Sequence, residues 1–139
     1  MSKSVDDSKA ALMAAAQAVR AHAHAPYTRF AVGAAVLDEQ GRILAGCNVE
    51  NAAYPQGWCA EASALAVMVA AGGKRVQAVA VCAEGADVVT PCGGCRQKLR
   101  EFAADDCVVL AADMTRLRAS FTLAELLPHS FGPAHLRTP

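Results

Sequence analysis

A chain of 139 residues with 13 basic and 13 acidic side chains is long enough to enclose one hydrophobic core and too short for two. Its formal net charge of zero speaks against a polyanion partner, because a nucleic-acid binder usually shows a basic excess or stripe. The longest uncharged apolar stretch, Ala62 to Gly73, falls short of the roughly 20 residues a membrane-spanning helix needs. Neither a nucleic-acid partner nor a membrane anchor is expected.

Near the N-terminus, Ala10 to Val19 is apolar and Ala21-His22-Ala23-His24-Ala25 contains A-x-A sequences, as a secretory leader does. Asp6 and Asp7 stand where a leader is positive, and Gln17 and Arg20 interrupt the run, so an amphipathic helix is expected instead. Leu12, Ala15, Ala16 and Val19 share one face of that helix, which spans about Val5 to His24 and stops at Pro26. His22 and His24 read as side chains favoured at a helix C-terminus rather than as metal ligands.

The nearly continuous apolar run Phe30 to Leu37 predicts a buried strand. A turn at Asp38-Glu39-Gln40-Gly41 leads to a second strand, Ile43 to Glu50, and so to an antiparallel hairpin. A loop over Asn51 to Gly57 follows, then a helix from Cys59 to Ala71 that buries Leu65, Met68 and Val69 and stops at Gly72-Gly73. Val76 to Cys82 is a third strand, Gly94 to Phe102 a helix and Cys107 to Ala111 a fourth strand. Arg116 to Phe121 alternates weakly as a fifth. Thr122-Leu123-Ala124-Glu125 matches a capping box that opens a short helix, Ala124 to Leu127. Strands and helices alternating after residue 58 predict parallel pairing there. The expected fold is a three-layer α/β/α with a mixed sheet of about five strands, one domain over residues 1–139.

Six cysteines suggest disulfides in an oxidising compartment and metal ligands or buried thiols in a reducing one; the second reading implies a cytoplasmic protein. Three of the six fall in Cys59-Ala60-Glu61 and Pro91-Cys92-Gly93-Gly94-Cys95. Zinc accepts thiolate ligands, and three protein ligands leave a fourth position open for water. Glu61, two residues from a ligand, is placed to work on that water. Both stretches fall at predicted helix starts, whose positive ends favour thiolates. The Ala60 amide, an unpaired first-turn donor, can point into the site. Such an anionic centre requires positive compensation from outside the ligand set, and Arg96 and Gln97, directly after Cys95, are the candidates. A competing arrangement is a closed four-thiolate site completed by Cys47, Cys82 or Cys107. Those three lie in apolar strands, and a closed site leaves Glu61 only a favourable charge near a helix N-terminus.

The pairing of C-A-E with P-C-G-G-C resembles the signature of zinc-dependent nucleobase deaminases, and the chain is similar to the cytidine deaminase family in its short, homotetrameric form. The likeness covers nearly the whole chain. It runs through Pro26-Tyr27-Thr28-Arg29-Phe30-Ala31-Val32-Gly33-Ala34-Ala35, Asn48-Val49-Glu50-Asn51, Tyr54-Pro55-Gln56-Gly57-Trp58-Cys59-Ala60-Glu61, Pro91 to Gln97 and Leu126 to Pro133. It implies one zinc ion per subunit on Cys59, Cys92 and Cys95, with Glu61 as the proton shuttle in the hydrolytic deamination of cytidine or deoxycytidine in pyrimidine salvage. It further implies that Asn48 and Glu50 hold the ribose hydroxyls and that Phe30 walls the pyrimidine. Phe131 and Tyr54 would reach the substrate across a subunit interface, so neighbouring subunits complete each active site. Many relatives carry Arg directly after the catalytic Glu, where it offsets thiolate charge; this chain has Ala62, and Arg96 is expected to take over that task. Other expectations compatible with the motifs are a deaminase of another small aminopyrimidine such as blasticidin S, a polynucleotide editor, and a non-catalytic zinc-stabilised interaction domain.

Overall fold

The computed structural model describes residues 4–137; the ends of the predicted domain, 1–3 and 138–139, lie outside them. A five-stranded sheet has the order β2-β1-β3-β4-β5, with β1 Val32–Asp38, β2 Ile43–Cys47, β3 Val76–Ala83, β4 Val108–Ala112 and β5 Leu117–Thr122. β1 pairs antiparallel with both β2 and β3. The β3–β4 pair is parallel and β4–β5 antiparallel. The alternation after residue 58 therefore yields one parallel pair. The chain returns from β4 through a tight turn in which Asp113 accepts from the Thr115 and Arg116 amides, and so short a connection joins only antiparallel strands.

Three layers result because the central strands are apolar on both faces. Ala34 and Val36 of β1 and Val79 and Val81 of β3 pack with Ala64, Leu65 and Met68 of α2 (Ala60–Ala70) and Leu99 of α3 (Gly93–Phe102). The alternate residues Ala35, Leu37, Ala78, Ala80 and Cys82 pack against Leu12 and Ala16 of α1 (Val5–Arg20). This is the strand period of two with different residue sizes on its two faces. Alanines bring α1 close to the sheet, and at Gly33 a Cβ would stand 2.0 Å from the Ala16 carbonyl oxygen. On the other face a Cβ at Gly46 would stand 2.4 Å from the Ala64 amide nitrogen. Alanine at either position separates a helix from the sheet. The capping box predicted at Thr122 and Glu125 is present at the start of α4, Leu123–Leu126.

Two boundaries differ from expectation by three residues or more, for one shared reason. α1 ends at Arg20 rather than near His24, and β2 ends at Cys47 rather than Glu50. After a last bond from the Asn48 amide to Val32 O at 3.2 Å the chain leaves the edge of β1, and residues 48–50 exchange backbone bonds with His24 on one side: the His24 amide donates to Asn48 O at 3.0 Å and the Glu50 amide to His24 O at 2.8 Å. On the other side Val49 and Trp58 exchange two bonds, of 2.9 and 2.8 Å. Backbone pairing outside the sheet overrides local helix and strand preference, and it fixes Trp58-Cys59 beside the end of β2.

Candidate active site

α2 and α3 both begin with a cysteine. Cys59 is the N-cap of α2 and Cys92 the N-cap of α3, and neither caps its helix with its side chain. Both thiols are left to face one another, with Sγ atoms 3.9 Å apart. Cys95, on the first turn of α3 and fully buried, completes the group: the ligand atoms of Cys59, Cys92 and Cys95 all lie within 4.8 Å of one another. Tetrahedral zinc at Zn–S distances of about 2.3 Å sets sulfurs about 3.8 Å apart, so these thiols fit that ion. Among the described residues no fourth His, Cys, Asp or Glu joins them. Cys82 and Cys107 are buried elsewhere, and burial pushes the Cys107 thiol up to about 12.

The charge pattern also suits a cation. Burial pushes the Cys59 thiol up, and burial followed by the Glu61 charge pushes Cys95 up. Burial acts upward on Cys92 too, but hydrogen bonds with the Cys95 amide and thiol and with Cys59 outweigh it and leave Cys92 below its ordinary value. Without a cation, three thiolates in this space repel one another; a divalent ion reverses the balance.

Glu61 is only 4% exposed. Burial raises its pKa, against the opposing influence of its own backbone amide, the Cys95 thiol and the Lys98 ammonium. A carboxyl group displaced toward neutrality can both take and return a proton. It opens on a cleft of about 370 Å³ that also exposes Cys59, Cys92, Ala60, Phe30, Asn48, Glu50 and Tyr54. That volume suits a small organic molecule.

The remaining residues are placed by specific bonds. Asn48 Nδ2 donates to Phe30 O at 2.8 Å while its Oδ1 accepts from the Val32 amide at 2.9 Å. This side chain continues the ladder where β2 has departed and so positions Phe30 on the cleft wall. Glu50 accepts from the Tyr27 and Thr28 amides and from the Thr28 hydroxyl. The hydroxyl is the main cause holding its carboxyl below the ordinary range. Tyr54 stacks edge-on against Tyr27, centroids 5.8 Å apart.

Three predicted residues lie apart from this cleft. Phe131 is 57% exposed and stacks on His135. Arg96 and Gln97, expected to offset the thiolate charge, make their hydrogen bonds to loop groups. Arg96 donates to Pro91 O, Leu126 O and Thr90 Oγ1, and Gln97 donates to Phe131 O. Both secure the loops around α3. Sequence reading missed Trp58, Val89 and Thr90 in the cleft wall; Trp58 and Thr90 each stand within two residues of a predicted ligand, which was an available signal, whereas Val89 lies in a loop without a motif.

Fold and site together define a class: an α/β/α protein with three thiols, able to hold a metal ion, gathered at two helix N-termini. Residues 6–111 match the family described as the cytidine and deoxycytidylate deaminase zinc-binding region, and the chain belongs to that family. It is 39% identical over 125 residues to a cytidine deaminase of Sporosarcina psychrophila, covering 90% of this chain and 92% of that one. It is 42% identical over 113 residues to a cytidine deaminase of Mycobacterium tuberculosis, covering 81% of this chain and 80% of that one. Its fold superposes on a crystal structure of cytidine deaminase from Burkholderia pseudomallei with a TM-score of 0.82 at 40% identity, covering 88% of this chain and 98% of the other.

Proposed function

We propose that this protein hydrolyses the 4-amino group of cytidine and deoxycytidine, giving uridine or deoxyuridine and ammonia in pyrimidine salvage. The observation that carries the reading is the convergence of three thiols with buried Glu61 in a cleft that also presents Phe30, Asn48 and Glu50. Cys59, Cys92 and Cys95 hold one zinc ion per subunit, which when bound supplies a Lewis acid and makes water a nucleophile near neutral pH. Glu61 takes the proton of the attacking water, passes it to ring N3 and delivers a proton to the departing amine. The Ala60 amide, at the first turn of α2, holds the pyrimidine carbonyl. Phe30 walls the base. Asn48 keeps one free amide N–H, and Glu50 is a charged acceptor; together they suit a ribose 3′-hydroxyl.

The proposed assembly is a cytoplasmic homotetramer in which Tyr54 and Phe131 complete a neighbour's site. Tyr54 is 74% exposed, more than its own cleft requires. α2 also carries apolar residues outward: Val69, Ala70 and Ala66 line an apolar groove with Trp58 and Phe102, and a helix apolar on all sides belongs in an interior. No helix among the described residues is long and apolar enough to cross a membrane.

The decisive experiment follows the loss of cytidine absorbance with zinc-loaded protein, offering cytidine, deoxycytidine, cytosine and blasticidin S. Turnover of the two nucleosides, abolished in Glu61→Gln with zinc retained, is the expected result. Inactivity on both nucleosides with zinc bound sinks the substrate assignment.

A further inference from the structure

Three thiolates around a divalent cation leave a net negative centre before any hydroxide forms, and the Glu61 carboxylate lies beside it. Some cation must stabilise that charge. The position after Glu61 is Ala62, and Arg96 is committed to Pro91 O, Leu126 O and Thr90 Oγ1. Arg100 is likewise committed, donating to Ser130 Oγ and Ala103 O at 2.9 Å each.

Lys98 is different. It stands three residues beyond Cys95 on α3, hence on the same helix face. Helical side chains lean toward the N-terminus, and here the ammonium lies 3.7 Å from where a Cβ on Gly94 would sit. The charge therefore hangs over the helix turn that carries Cys95. It lies over one small residue, Gly94 on its own helix, and shares a groove with another, Ala62 on α2. Among the described residues Lys98 forms no ion pair.

We infer that Lys98 is the positioning cation of this centre: its ammonium, lying over Gly94 in the groove it shares with Ala62, offsets the negative charge of the three-thiolate metal site. The inference rests on the zinc site proposed above. It replaces a charge that follows the carboxylate in sequence with one that arrives from the facing helix.

The test compares wild-type protein with Lys98→Met, Lys98→Arg and the double variant Lys98→Met/Ala62→Arg. Zinc affinity is measured by competition with a chromophoric chelator at fixed pH, and the thiolate-to-metal charge-transfer band after cobalt(II) substitution. Cytidine turnover is followed in parallel. An exposed ammonium over the helix turn that carries Cys95 predicts severalfold weaker zinc binding in Lys98→Met. kcat should fall more than KM changes, and the affinity difference should shrink in high salt. Lys98→Arg should stay within about twofold of wild type, since it keeps the charge, and Ala62→Arg should recover part of the loss. Zinc binding and kcat unchanged in Lys98→Met overturn the inference, as does a Lys98→Arg variant as weak as Lys98→Met, which makes the effect one of packing. Wild-type protein that binds no zinc through its thiols overturns the proposed function together with this inference, and so separates the two failures.

Discussion

α2 has a buried carboxylate at each end, and the two are handled in opposite ways. At the C-terminal end, Asp38 is fully buried and saturated with donors. Its Oδ1 accepts from the Gln40 and Arg42 amides, and its Oδ2 takes Arg42 Nε at 2.8 Å. The same guanidinium reaches Ala71 O, the C-cap of α2. At the N-terminal end, Glu61 has no such clamp, and burial holds its carboxyl up. Equal burial thus yields one group that holds the β1–β2 turn to a helix and another free to exchange protons. What separates them is the supply of donors, since a buried charge is stable only when paired.

Exchanging each acid for its amide sharpens the contrast. Glu61→Gln should lower turnover by about 10³-fold, within the range that positioned acid–base groups supply. Its thermal unfolding temperature should match or exceed wild type, because a poorly compensated buried charge has been removed. Asp38→Asn should do the reverse, costing about 3 kcal/mol in urea unfolding while zinc-loaded protein that remains folded turns over cytidine at near the normal rate. Equal stability losses in the two variants would remove the distinction.

A third expectation concerns the two aromatics assigned to a neighbour's site. Phe131→Ala and Glu61→Gln should each be inactive as pure oligomers, and co-refolding them should restore a fraction of the activity. An absence of recovery with mixed oligomers confirmed by mass would place Phe131 outside any shared site.

The smallest effect is on acid stability. Donors lower the carboxyls of Glu50, Glu39 and Asp113, chiefly the Thr28 hydroxyl, the Lys74 amide and the Thr115 amide respectively. A depressed acid contributes stability that is fully present above its ordinary value, 4.5 for the two Glu and 3.8 for Asp113. That contribution disappears as pH falls through the lower folded value. Glu50→Gln should therefore lower stability slightly at neutral pH and flatten the acid limb, so that variant and wild type converge at low pH; an unaltered limb would show that Glu50 titrates alike folded and unfolded.

Much of this was legible in the chain because strong local signals coincide with the chemistry. The strand run before Asp38, the capping box at Thr122 and the Cys59 and Cys92 motifs all depend on neighbours in sequence. What escaped depends on partners in space. His24 and Asn48 ended an expected helix and an expected strand because they bond one another's backbone. Arg96 adjoins Cys95 in sequence, yet successive helical residues point about 100° apart, and its guanidinium left for the loop at Thr90. The residue that shares the face of Cys95 is Lys98, and its spacing of three was available to be read.

Asn48 has a further consequence. Its amide stands in for a peptide unit, donating to Phe30 O and accepting from the Val32 amide. No other side chain of that length does both. Spontaneous deamidation to Asp, a mass change of about one dalton in which an NH₂ donor becomes an oxygen, would set oxygen against the Phe30 carbonyl and loosen the cleft wall from within. On this reading the protein ages by the kind of substitution it is proposed to catalyse, amine for oxygen, and intact mass followed against activity during storage would record it.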